Sequence, residues 1–135
     1  MSGARTVAMV MFIGGISALC SSCGSSTSRP GGGASSGLPR SATIASLSTA
    51  QAGTLCDWQS AKQGGYGRMV NCSDGSQEMS DPDKATCVSG ASALGALCPT
   101  LTVGDVEDCA NAVGTDLCSE PTQAGCAAFN TCLGV

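Results

Sequence analysis

"LTVGDVEDCANAVGTDLCSEPTQAGCAAFNTCL", residues 101 to 133, decides the fold. Thr102 stands where a helix needs an N-cap, and Asp105 follows at the spacing of a reciprocal cap. Val103, Val106, Ala110, Val113 and Leu117 then recur at helical intervals as one apolar stripe. Beyond a turn at residues 119–122, Cys126, Phe129 and Leu133 share the face of a last helix. Two helices joined by so short a turn form an antiparallel hairpin, in which Cys118 faces Cys126 and Cys109 faces Cys132. This nested pairing is the expectation, chosen from the many connectivities that eight cysteines permit.

The stretch upstream, "SDPDKATCVSGASALGALCP" at residues 80–99, reads as another helix. Asp81 is its expected cap, Pro82 its first residue, and Asp83 a charge that suits the positive end of the dipole. Cys87, Ala91, Leu94 and Cys98 fall on one face, and Pro99 closes the segment. In a continuous helix Cys87 and Cys98 stand about 16 Å apart, beyond the ~7 Å that a bridge spans between α-carbons. A break at Gly90 or Gly95 would reopen that pairing. Ser48 and Gln51 form a capping box for a helix over 49–63, which Gly64 and Gly65 end. "YGRMVNCSDGSQEMS", residues 66–80, is a hairpin turning at Asp74-Gly75, with Cys72 placed to tie it down. The fold expected is a small, disulfide-rich, mostly α domain with three to four short helices and one β-hairpin, behind a disordered N-terminal tether.

Three aromatic residues serve this domain, Trp58, Tyr66 and Phe129, a thin supply for a core. Cross-links therefore carry much of the stability, each typically worth ~2–4 kcal/mol. The chain has ten cysteines. Cys56, Cys72, Cys87, Cys98, Cys109, Cys118, Cys126 and Cys132 lie in the expected domain, 47–135, and their even number suits disulfides. Their wide spacings, without C-x-x-C pairs, argue against zinc.

Cys20 and Cys23 belong to a different part of the chain. Arg5 followed by an apolar run from Val7 to Leu19 has the form of a secretory signal over residues 1–22. The run is far shorter than the ~20 apolar residues of a membrane span. In "ALCSSCGSS", residues 18–26, the small Ser21 and Ser22 before Cys23 make it the expected lipid-acceptor cysteine, with Cys20 as second choice. Ordinary signal cleavage is the alternative. A redox C-x-x-C at these positions lacks the preceding strand and following helix that tune such thiols. Residues 23–46, rich in Gly, Ser and Pro, are expected to form a disordered tether. A flexible linker of that length spans roughly 25–30 Å.

The formal net charge is −4 and the basic side chains are scattered, which argues against a nucleic-acid surface. There is no histidine, so His-based nucleophile pairs and metal sites are excluded. No cofactor is expected. Asp105, Glu107 and Asp108 cluster near a helix start, as do Asp81 and Asp83, and capping explains both groups more simply than acid–base chemistry or calcium. Trp58 and Tyr66 are the candidate binding residues, a stacking pair for a sugar or peptide, weighed against a role in the core.

The pattern "LCDWQ…GGYG…NCSDG…VEDC", with the cysteine order around it, resembles cysteine-rich exported lipoproteins of Gram-negative bacteria that have no assigned activity. The likeness covers about residues 47–132. It implies a place in the cell envelope, expected to be the outer membrane, with a soluble periplasmic or secreted form as the alternative. The function expected is that of a lipid-anchored, non-catalytic interaction module with an unknown protein or small-ligand partner. A secreted inhibitor or small-ligand carrier is the second expectation, and an enzyme has the least support.

Overall fold

Ser48 starts helix α1, Thr49–Gln63, through the expected box: its hydroxyl accepts from the Gln51 N–H while the Gln51 side chain accepts from the Ser48 N–H. The same device, built from Thr102 and Asp105, starts α3, Val103–Val113. Between them runs α2, Lys84–Leu97, and a fourth helix, α4, spans Ala127–Leu133. Strands β1, Met69–Asn71, and β2, Gln77–Met79, pair antiparallel with Val70 opposite Glu78. Asp74 shapes their turn by accepting from the N–H and hydroxyl of Ser76. The computed structural model describes residues 35–134, and the expected mostly helical, disulfide-rich fold with one hairpin is what it shows.

The helices bury two adjoining apolar clusters. Leu55 of α1, Ala91 and Leu94 of α2, and Val103 and Val106 of α3 meet around Ile44, with Leu101 between helices. Cys109, Val113, Leu117 and Cys126 form the second cluster, and Phe129 packs against both. Two glycines permit close approaches. A methyl group at Gly95 would lie 2.8 Å from the Ala45 backbone, and one at Gly125 only 2.5 Å from the Asp108 carbonyl oxygen. α2 is continuous through Gly90 and Gly95, so Cys87 and Cys98 bond elsewhere.

Several expectations are corrected. Asp83, not Asp81, caps α2, because its carboxylate is the one that reaches the Thr86 N–H. The nested pairing of the last four cysteines does not form. The bridges are Cys56–Cys87, Cys72–Cys118, Cys98–Cys132 and Cys109–Cys126. α3 stops at Val113, well short of Cys118, and residues 117–122 form a 3₁₀ segment packed beside the hairpin. Cys118 thus meets Cys72, while the approach at Gly125 sets Cys126 opposite Cys109. Of the three residues expected to share a face of the last helix, Cys126 is buried while Leu133 is 46% exposed.

The boundary expected at residue 47 is also corrected, since residues 35–46 are part of the folded unit. Ile44 is buried in the first cluster, and its N–H donates to the Leu101 carbonyl. Thr43 forms a bridge with Thr102, and the Gly104 N–H donates to the Arg40 carbonyl. Residues 1–34, with the expected signal, Cys20, Cys23 and most of the expected tether, lie outside the described residues.

Candidate functional site

Glu107 is the most completely buried large side chain described, at 0% exposure. A carboxylate without water needs donors, and here they come from the arm that precedes the helices. The Ser35 hydroxyl donates at 3.1 Å, the Ser36 N–H donates to the same oxygen, and Arg40 Nη1 donates to the other at 2.7 Å. Arg40 Nη2 reaches Asp108 at 2.7 Å. Burial by itself pushes the Glu107 carboxyl up, but the Ser36, Ser35 and Arg40 donors outweigh it and hold it below its ordinary value. Asp105 caps α3 as expected, whereas Glu107 and Asp108 clamp residues 35–40 onto that helix.

Sequence reasoning missed this clamp because Arg40 sits in a tract read as tether. The available signal was the return of apolar residues at Leu38, Ile44 and Leu47, which pack on the first cluster or lie within it.

Trp58 and Tyr66 are held by different partners. Trp58 packs against the first cluster, with Lys62 Nζ over its ring at 5.6 Å from the centroid. The Tyr66 hydroxyl donates to Asp57 at 3.1 Å, and Lys84 pairs with the other oxygen of that carboxylate. Burial first, then the Asp57 charge, pushes the Tyr66 phenol well above its ordinary value. Both side chains are half-buried: Trp58 belongs to α1, and the Asp57–Lys84 pair beside Tyr66 joins α1 to α2.

On another part of that helix pair lies a groove of about 280 Å³, lined by Ile44, Ala45, Leu47, Ala52, Ala91 and Gly95. Among the described residues there is no cluster of three or more metal-ligating side chains, and no helix is long and apolar enough to cross a membrane. All eight expected disulfide cysteines are bridged.

Fold and site define a class: a small helical domain cross-linked four times, with its N-terminal arm fastened by a buried carboxylate. Four disulfides in so short a chain fit the oxidising conditions of the cell envelope or exterior. Comparison with protein-family models, curated proteins and solved structures gives no match.

Proposed function

We propose that the protein is a cell-envelope lipoprotein, anchored through Cys23, whose cross-linked domain is a non-catalytic binding module. The observation that carries this reading is the clamp at Glu107. Residues 35–40 leave the domain as a firmly attached strap, and residues 24–34 are then the spacer between that strap and an acylated Cys23. Four of the five carboxylates weighed as acid–base candidates are otherwise engaged: Asp105 and Asp83 cap helices, and Glu107 and Asp108 hold the arm. The resemblance to exported lipoproteins and the signal-like first residues support the same reading.

Intact mass of the protein from a membrane fraction, before and after reduction, tests the anchor. A chain that begins at Cys23, carries acyl mass and gains eight hydrogens on reduction is the expected result. A soluble chain that retains both Cys20 and Cys23 would overturn it. The groove beside Ile44 favours a second reading, a small-ligand carrier. Native mass spectrometry tests that one, since a carrier retains a co-purified ligand, whereas crosslinking at Trp58 or Tyr66 in intact cells captures a protein partner.

A further inference from the structure

The four bridges differ in their surroundings. Cys56, Cys87, Cys109 and Cys126 are buried, and Cys72 and Cys118 are half-buried. Cys98 is buried too, but its partner Cys132 is exposed. Cys132 lies in α4, a helix of seven residues with no buried member. So short a helix does not persist unaided in water.

What holds α4 can be named. Behind it, Cys126 is fixed to Cys109. Ahead, Cys132 is fixed to Cys98 at the end of α2. Between them Phe129 packs on both clusters and, with Ile44, Leu55, Leu94 and Val106, lines a cavity of about 30 Å³. Leu97, 67% exposed, and Leu133 flank the accessible bridge.

We propose that Cys98–Cys132 is a redox latch and that Cys132 is the site of thiol exchange. A dithiol reductant opens it, α4 swings about Cys126, and the apolar floor under Phe129 is uncovered. In the first step a thiolate of the reductant forms a bond to the Cys132 sulfur as the bond to Cys98 breaks. The electron pair leaves on the Cys98 sulfur, which takes up a proton. The second thiol of the reductant then attacks its own sulfur in the mixed disulfide, and Cys132 departs as a thiolate that is protonated in turn. Two cysteines are reduced by two electrons, and the dithiol becomes a disulfide.

Access directs the attack to Cys132. Cys98 leaves at the C-terminus of α2, where the helix dipole disfavours a thiolate. The mixed disulfide therefore tends to revert, and a second thiol within the same reductant is needed to carry it forward.

The test uses the oxidised full chain, graded dithiothreitol, alkylation with iodoacetamide and peptide mapping. Cys98 and Cys132 are expected to take label at a reductant level about tenfold below that needed for the other six cysteines. Fluorescence of a dye for exposed apolar surface, and protease cleavage within residues 127–134, should rise with that first label. Labelling of Cys72 and Cys118 first, or of all eight cysteines together, would overturn the proposal. So would early labelling of Cys98 and Cys132 with no gain in dye binding or cleavage. The double variant C98S/C132S is a second check. Without reductant it should bind dye and be cleaved like the opened parent, and a variant as resistant as the oxidised parent would refute the latch.

Discussion

Around Ile44 the chain is held by burial, and around Cys132 it is held by cross-links. In the first region α1, α2 and the start of α3 pack a continuous apolar cluster, and the buried Cys56–Cys87 bridge joins α1 to α2. In the second, a three-residue-per-strand hairpin, a 3₁₀ segment and the short α4 offer little surface to bury, and three bridges fasten them. Two strands of that length are marginal alone. A chain with few aromatics makes one well-packed region from its helices and binds the remainder to it covalently.

The largest expected effect lies in the packed region. Leu55→Ala removes a side chain at the centre of the first cluster and should cost about 2–5 kcal/mol in a urea melt. In the cross-linked region, C72A/C118A should cost about 2–4 kcal/mol. The comparison is sharpened by where the damage appears: amide exchange should quicken in β1 and β2 while α1 and α2 stay protected. Uniform loss of protection would show that the hairpin belongs to the core after all.

Glu107→Gln comes next. It keeps the shape of the clamp but removes the charge that Arg40 and the serines satisfy, at roughly 1–3 kcal/mol. The same group carries a pH dependence. Its folded-state value lies below the ordinary 4.5, so its contribution is complete above 4.5 and is lost as pH falls through the folded value. The stability difference between parent and Glu107→Gln should therefore shrink in acid, which melts at pH 7 and pH 3 can check. A constant difference would mean the carboxylate charge is not what holds residues 35–40. The smallest effect belongs to Leu133→Ser, within about 0.5 kcal/mol, because that side chain is exposed and α4 is held by its bridges.

Local signals were legible and long-range ones were not. The limits of α1, the boxes at Ser48 and Thr102 and the turn at Asp74-Gly75 all rest on contacts within a few residues. Asp81 and Asp83 show where that resolution ends. Both are carboxylates beside Pro82, and only the folded backbone selects the one that meets Thr86. Arg40 and Glu107 are 67 residues apart, and nothing near either in the chain announces the other. Of the candidate site, Trp58 and Tyr66 could be named beforehand, but not that the Lys62 ammonium and the Asp57 carboxylate already engage them.

By itself, then, the sequence determined which segments are helical, where α1 and α3 start, where the hairpin turns, and that eight cysteines belong to one oxidised domain. Those properties follow from hydrogen bonds and apolar periodicity over one or two turns of chain. Tertiary structure decided which cysteine meets which, that residues 35–46 fold back onto α3, and that one bridge has an exposed member. Those depend on how segments dock: α3 ending at Val113 turns Cys118 toward Cys72, and the missing side chain at Gly125 lets Cys126 reach Cys109.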